Sequence, residues 1–258
     1  MYANPIAVKR TITLTLSMSI IPIVLGTLDP KYLSSTTVAT STSTSAGTTT
    51  AAGTTGGGSN ISISQAEFDA SVTSCGYPKT SDDKYNAFSD GLAKSTIKTK
   101  REAAMLLAQI LHESKGLSKT AEELCQTNLA ACNSAYPSLK GGLPGKSYYG
   151  RGYIQLTWDY NYIEASKDLY GNDDLLKNPE SVATDEKKAW GVTFWYWGKK
   201  VSIVPDVQNG KFGAATRAIN GALECTGGSH PAVAKRNENY AKCLKAFGIN
   251  ETPDFSGC

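Results

Sequence analysis

The chain has 258 residues, 40% of them hydrophobic, which is enough for the core of one or two domains. Its formal net charge is only +3, from 26 basic and 23 acidic residues. This near balance excludes a protein that binds nucleic acid mainly by neutralising phosphates, and we expect no nucleic-acid partner.

The first 28 residues have the composition of a secretion signal. Lys9 and Arg10 precede the apolar stretch TITLTLSMSIIPIVLGTL at 11–28, which Pro22 interrupts. A basic segment followed by a short apolar one predicts a signal peptide over 1–28 and a secreted, extracellular protein. The alternative is a membrane anchor, but about 18 residues with several hydroxyls would span a bilayer poorly. We therefore expect no stable membrane insertion after signal cleavage.

Residues 29–60 predict a disordered linker rich in Ser, Thr and Gly. Most of it reads SSTTVATSTSTSAGTTTAAGTTGGGSN, with almost no charge and no aromatic residue that could form a core. In a secreted protein this composition is typical of an O-glycosylated stalk. Asn60 and Asn250 also match the N-glycosylation pattern.

Residues 61–258 predict one mainly α domain. Ser64 followed by Glu67 is a capping box that opens a helix through about Val72. Residues 100–114 are apolar on every face, so this helix should be buried. We find no sustained alternation typical of a strand. Further helices are predicted over residues 160–170, 185–196, 213–219 and 231–247.

Two glutamates stand out around the end of the buried helix. Glu113 ends it against apolar neighbours, where desolvation favours the neutral acid. Glu122 follows nine residues later, beside Glu123 and in a more polar setting, where a carboxyl stays ionised. Carboxyls in two such environments are what acid–base cleavage of a glycosidic bond requires. The alternative is two unrelated surface glutamates.

The segment SYYGRGYIQLTWDYNY at 147–162 is unusually aromatic, with five tyrosines, Trp158 and two amide side chains. Aromatic faces stack on sugar rings, and amides hydrogen-bond to sugar hydroxyls. The alternative is a Tyr-rich hairpin in the core. Gly150 and Gly152 flank Arg151 and permit a sharp turn or the close approach of a ligand.

Three motifs in order, AQILHESKGL at 108–117, YYGRGYIQLTWDYNY at 148–162 and TRAINGALEC at 216–225, resemble glycoside hydrolase family 19. The likeness spans residues 64–258 and is greatest to the short, loop-deleted, class IV-like and bacterial-like endochitinases. It implies a lysozyme-like, two-lobed helical domain with a substrate cleft. It also implies hydrolysis of β-1,4-N-acetylglucosamine linkages in chitin, with inversion and without metal or other cofactor. We expect the enzyme to be a monomer.

The resemblance implies a role for each matching residue. Glu113 matches the general acid and Glu122 the general base, with Glu123 outside the chemistry. Thr157 stands where a family serine and the base together hold the attacking water. Six further positions are expected to contact the substrate or orient the site, namely His112, Tyr149, Gln155, Tyr160, Asn161 and Asn220.

A charged network is expected to support these groups. The resemblance makes Arg236 a buried arginine that ion-pairs near the base and keeps Glu122 charged. Arg151 and Glu224 fit the same network, although either could be purely structural. His112 should orient the site without titrating in the reaction.

The chain departs from the family pattern at two places. Residues 126–146 lack a tryptophan that members often carry, which predicts a weaker sugar subsite. Tyr153 stands where proline is common after the GRG motif. We also expect no Cys-rich chitin-binding module of the family's kind.

Six cysteines in a secreted chain predict disulfides. No CxxC pair occurs and the chain has only 2 histidines, so a zinc site is not expected. The resemblance implies Cys225–Cys258. For the other four cysteines, two pairings stay open: Cys125–Cys132 with Cys75–Cys243, or a rearrangement that joins Cys75 to Cys125.

Two other functions stay open beside a chitinase. Lysozyme-like relatives predict peptidoglycan hydrolysis as one alternative, although the glycosylated type of linker favours chitin. The other alternative is a catalytically silent chitin-binding protein on the same scaffold. Both glutamates are present, which argues against the silent protein.

Overall fold

The computed structural model of the protein describes residues 60–258. The predicted signal peptide and all of the predicted linker except Asn60 therefore lie outside the described residues. Across 60–258, no helix combines the length and apolarity needed to cross a bilayer.

The mainly α prediction is confirmed. Between residues 60 and 258 the only extended pairings are isolated β-bridges. A π-helical turn, Trp197–Val201, continues the ninth helix. The α-helices are α1 Gln65–Ser74, α2 Asp82–Lys94, α3 Lys100–Glu113, α4 Glu123–Thr127, α5 Leu129–Ala135, α6 Asp159–Tyr170, α7 Asp174–Lys177, α8 Ser181–Thr184, α9 Glu186–Tyr196, α10 Pro205–Gln208, α11 Phe212–Glu224 and α12 Pro231–Ala246.

All six predicted helices form. The capping box opens α1, where the Ser64 amide donates to Glu67 at 2.7 Å and the Glu67 amide donates back to the Ser64 hydroxyl at 3.3 Å. Helix α2 was not predicted from the sequence, because Gly91 interrupts its helical pattern. A Cβ on Gly91 would lie 2.6 Å from the Phe194 ring, so the close packing of α2 against α9 requires glycine at this position.

Helix α3 forms the centre of the core, as its apolar faces predict. Every residue from Ala103 to Leu111 is buried, including the polar Gln109. Helix α12 packs along α3, and α11 lies beside both. This packing places side chains of α11 and α12 around the end of α3, where Glu113 lies.

The chain reverses direction directly after α3. Lys115, Gly116 and Leu117 have positive φ values of 48°, 70° and 63°. Only glycine fits the middle position, because a Cβ there would lie 2.2 Å from the Tyr77 ring. The turn brings residues 119–122 back toward α3, which explains how Glu113 and Glu122 come to face one site.

The returning segment is fastened to the GRG motif. Ala121 forms an antiparallel bridge with Arg151. The Glu122 amide donates to the Gly150 carbonyl at 3.0 Å, and the Gly152 amide donates to the Thr120 carbonyl at 2.8 Å. Backbone hydrogen bonds thus hold the second glutamate against the aromatic segment.

The loop after α5 is held to the start of α6 by one carboxylate. Asp159 Oδ2 accepts hydrogen bonds of 2.7–3.0 Å from the Ser138 hydroxyl and the amides of Leu139, Lys140 and Gly142. Burial raises the pKa of Asp159, but these hydrogen bonds outweigh it and the pKa is lowered. An ionised Asp159 therefore organises this side of the domain.

Two of the predicted disulfides are present, Cys125–Cys132 and Cys225–Cys258. The alternative that joins Cys75 to Cys125 is therefore wrong. Cys75 and Cys243 are both buried and free, so the bond predicted between them is not formed. Cys75 Sγ lies 3.7 Å from the Asn239 carbonyl.

Candidate active site

Glu113 and Glu122 line one small pocket between α3, α11 and the loop at 150–157 that begins with the GRG motif, hereafter the GRG loop. The alternative of two unrelated surface glutamates is therefore wrong. Of the other predicted site residues, Gln155, Thr157 and Asn220 also line this pocket. The rest of the wall is formed by Tyr136, Gly150, Ile154, Tyr196 and Ile219.

Glu113 is not an unpaired acid in apolar surroundings, as the sequence predicted. Its side chain is only 3% exposed and forms an ion pair with Arg236, which is 1% exposed. Arg236 also donates to both carboxylate oxygens of Glu224, at 2.8 and 2.7 Å. The expectation that Arg236 pairs near Glu122 is wrong, because the packing of α12 along α3 directs the guanidinium to Glu113.

The Arg236 network extends behind the pocket. Arg236 Nη1 donates to Gln109 Oε1 at 2.7 Å, and Gln109 Nε2 donates to Thr216 Oγ1 at 2.9 Å. Asn220 Nδ2 donates to Glu224 at 2.7 Å. Burial raises the pKa of Glu224, but its bonds to Arg236 and Asn220 outweigh this, so the pKa is lowered. Glu224 is thus an anion that balances the charge of Arg236.

Asn220 reaches the pocket because α11 is distorted there. Its φ of −144° and ψ of 30° lie outside the helical region. The side chain is buried and contacts Glu224 while it lines the pocket wall. Asn220 thus lies on the pocket wall, and its contact with the substrate stays a prediction.

The electrostatic environment of Glu122 differs from the prediction of a polar, freely ionised acid. Burial raises its pKa, and the negative charge of Glu123 raises it further. Glu123 itself is exposed and pairs with Lys119 at 2.6 Å and with Lys115 at 3.5 Å. These polar neighbours face solvent, whereas Glu122 turns into the pocket.

Thr157 and Gln155 are held by the backbone of the GRG loop. Thr157 Oγ1 donates to the Gln155 carbonyl at 2.8 Å, and Gln155 Nε2 donates to the Gly152 carbonyl at 2.8 Å. A Cβ on Gly150 would lie 2.9 Å from Gln155 Oε1. Glycine at position 150 therefore leaves room for the Gln155 amide beside the two glutamates.

Arg151 does not belong to the ion-pair network that the sequence predicted. It is 2% exposed and donates to the Ser147 carbonyl at 2.9 Å and to the Tyr162 hydroxyl at 3.1 Å. Its guanidinium carbon lies 3.6 Å from the centre of the Tyr149 ring. These contacts make Arg151 a scaffold for the aromatic segment, which the structural alternative anticipated.

Four of the expected substrate contacts, His112, Tyr149, Tyr160 and Asn161, are not on the pocket wall. Asn161 is 4% exposed and donates to the Thr157 carbonyl at 2.8 Å, so it holds the backbone of Thr157 in place. Burial lowers the pKa of His112 to about 4, with a contribution from the charge of Arg236. A neutral His112 agrees with the prediction that it does not titrate in the reaction.

Two tyrosines of the pocket, Tyr136 and Tyr196, were not predicted from the sequence. Burial raises the pKa of Tyr196 to about 12, with contributions from Tyr160 and Glu113. Burial likewise raises the pKa of Tyr136 to about 12, with a contribution from Glu122. Both phenols stay protonated at ordinary pH and can donate hydrogen bonds. Neither stands in a local pattern that marks it, because distant packing brings them to the pocket.

Over residues 60–258, no three or more His, Cys, Asp or Glu side chains are grouped so that they could hold a metal ion.

Residues 79–211 match the sequence profile of the family described as chitinase class I, which is glycoside hydrolase family 19. The chain belongs to this family. As a family 19 member it is similar to an endochitinase of Arabidopsis thaliana, with 41% identity over 163 residues, which are 63% of this chain and 54% of the relative. An acidic endochitinase of Beta vulgaris is 39% identical over 150 residues, 58% of this chain and 50% of the relative.

Solved structures agree with the family assignment. Chitinase C from Streptomyces griseus superposes with a TM-score of 0.60 at 32% identity, covering 76% of this chain and 97% of the other. The chain spans about half the length of the curated family 19 relatives that it matches.

Proposed function

We propose that this family 19 protein is a secreted, monomeric endochitinase that hydrolyses β-1,4 linkages between N-acetylglucosamine units by a single displacement with inversion. The observation that carries the proposal is the shared pocket of Glu113, Glu122 and Thr157. An inverting glycosidase requires two carboxyl groups at one sugar site, one as general acid and one as general base. Disulfides in the domain agree with secretion.

Glu113 acts as the general acid in this scheme. It passes its proton to the glycosidic oxygen as the bond to the anomeric carbon breaks. Arg236 contacts both Glu113 and Glu224, but its single positive charge balances only one carboxylate. Glu224 balances the charge of Arg236, and the contact with Arg236 fixes the orientation of the Glu113 carboxyl group.

Glu122 acts as the general base. It takes a proton from a water that attacks the anomeric carbon from the opposite face of the sugar. Thr157 uses its own proton to donate to the Gln155 carbonyl, which leaves its oxygen lone pairs free to accept a hydrogen bond from that water. The water is therefore oriented by Thr157 and deprotonated by Glu122. One proton thus passes from Glu113 to the leaving oxygen and one from the water to Glu122, while the second proton of the water stays on the new anomeric hydroxyl.

The substrate is tested by measuring reducing-end release from colloidal chitin and from purified bacterial cell walls. We expect release from chitin and little from the walls. Release only from walls would identify a peptidoglycan hydrolase instead. Binding to chitin oligomers without release from either substrate would identify a silent binding protein.

The pH dependence of kcat/KM should respond to Glu123. Glu122 works as an anion, so activity falls as the pH drops through its pKa, which burial and the charge of Glu123 raise. Replacing Glu123→Gln removes that charge and should move the acid limb of the profile to lower pH. Glu238→Gln removes a similarly exposed carboxylate paired with lysines on α12, and should leave the limb in place. An acid limb that Glu123→Gln does not move would show that another group controls it.

A further inference from the structure

A partly buried polar cluster of Lys84, Tyr153 and Glu186 lies beside the GRG loop, and none of its members lines the pocket. The Tyr153 hydroxyl donates to Glu186 Oε2 at 2.6 Å and accepts from Lys84 Nζ at 2.5 Å. Lys84 and Glu186 also pair directly at 2.6 Å. Lys84 lies in the first turn of α2 and Glu186 begins α9. One hydroxyl thus joins the loop to two helices of the core.

Tyr153 is more completely enclosed than its two partners. It is 0% exposed, and its ring centre lies 4.8 Å from that of Trp190. Burial raises the pKa of Tyr153, and the hydrogen bond to Glu186 raises it further. The phenol therefore keeps its proton over the whole working range of pH. Its hydrogen bonds to charged partners are of the strong kind.

The loop that Tyr153 anchors is a tight turn closed by the bridge between Arg151 and Leu156. Gly152 and Gln155 within it have φ values of 70° and 54°. Trp158, just beyond it, has a φ of 75°. A left-handed backbone at non-glycine residues costs about 1–3 kcal/mol each and persists only where the surroundings enforce it.

The turn carries functional groups as well. Ile154, Gln155 and Thr157 line the pocket, whereas Tyr153 points into the core. A proline at position 153 would fix the backbone φ angle through its ring. Tyr153 has no such ring, but the hydrogen bonds of its hydroxyl restrict the backbone of the turn instead.

We propose that the Lys84–Tyr153–Glu186 cluster is a positioning device, in which the Tyr153 hydroxyl fixes the turn that places Gln155 and Thr157 at the pocket. Tyr153 touches no reacting atom and acts through the turn. This inference rests on the proposed function, because it concerns how the water-binding Thr157 is aligned with Glu122. It predicts an effect on kcat rather than on KM.

The test is Tyr153→Phe, assayed for chitohexaose hydrolysis well below the unfolding temperature. The ring and its packing stay, and only the hydroxyl is lost. We expect kcat to fall by about tenfold, because small displacements of positioned groups are costly, while KM changes less than about twofold. The matched control is Tyr85→Phe. Its hydroxyl donates to the Ile63 carbonyl at 3.1 Å from the same helix as Lys84, away from the turn, and kcat should be unchanged.

Two further variants complete the experiment. Glu186→Gln keeps an acceptor for the Tyr153 hydroxyl and should retain kcat within about threefold. Lys84→Met removes one of the two partners and should lower kcat, and it carries the test if Tyr153→Phe does not fold. The positioning role is overturned if Tyr153→Phe folds and keeps wild-type kcat. If Tyr153→Phe does not fold, a folded Lys84→Met variant with wild-type kcat overturns it instead. A wild-type protein that cleaves no chitohexaose would reject the proposed function itself.

Discussion

Glu113→Gln should lower kcat on chitohexaose by about 10³-fold, the contribution expected of a positioned general acid. Glutamine keeps the size of the side chain and a carbonyl oxygen for Arg236, but its amide has no acidic proton that it could transfer to the leaving oxygen. Chitotriose affinity should change by less than about threefold, because the pocket wall stays intact. The measurements are steady-state kinetics and calorimetric titration.

Glu123→Gln is the matched control for this loss. It makes the same chemical change at a carboxylate that faces solvent, outside the pocket. It should keep most of the activity at its own pH optimum. If Glu113→Gln retains more than about a tenth of wild-type kcat, Glu113 is not the proton donor.

Arg236→Met should destabilise the fold by about 3–5 kcal/mol, the usual cost of removing one partner from a buried ion pair. The variant leaves Glu113 and Glu224 without their cation, although their side chains are only 3% and 4% exposed. Methionine fills much of the space of the arginine side chain. The lost free energy of unfolding therefore comes mainly from the missing positive charge and not from a cavity. The free energy of unfolding is measured by urea denaturation.

An exposed ion pair provides the comparison for Arg236. Arg101 pairs with Glu251, with side-chain exposures of 42% and 49%. Arg101→Met should cost less than about 1 kcal/mol. Adding Glu113→Gln and Glu224→Gln to Arg236→Met should recover part of the lost stability, because no buried charge then stays unpaired. Equal stability of the Arg236→Met and Arg101→Met variants would contradict the network.

Local patterns predicted the elements that carry the site. The capping box at Ser64 and the apolar faces of α3 depend only on neighbours in sequence, and both were correct. The three family motifs predicted a shared site for Glu113 and Glu122. The turn that achieves it depends on Gly116, which the sequence marked only as the end of a helix.

The partners of the two glutamates could not be predicted from the sequence. Arg236 lies on α12, far along the chain from Glu113, and its choice of carboxylate depends on how α12 packs against α3. Glu122 has charged neighbours in sequence, but they face solvent while it is buried. Tertiary packing thus gives Glu113 a charged partner where its sequence neighbours are apolar, and it buries Glu122 where its sequence neighbours are charged.

The contacts of Arg151 also could not be predicted from the sequence. Its charge and its place in a motif suggested an ion pair, yet it is held by carbonyl and phenol oxygens and by an aromatic ring. Tyr153 was noted only as a departure from the family pattern. Its anchoring role depends on α2, which was not predicted from the sequence, and on α9.

The central claim is that Glu113 and Glu122 act from opposite faces of one sugar, with a water between the base and the anomeric carbon. Proton NMR of the first products of chitohexaose cleavage, recorded before mutarotation, reports this directly. Attack by water on the face opposite the leaving group should give the α-anomer at the new reducing end. Initial formation of the β-anomer would contradict the account, since it requires a covalent or substrate-assisted intermediate.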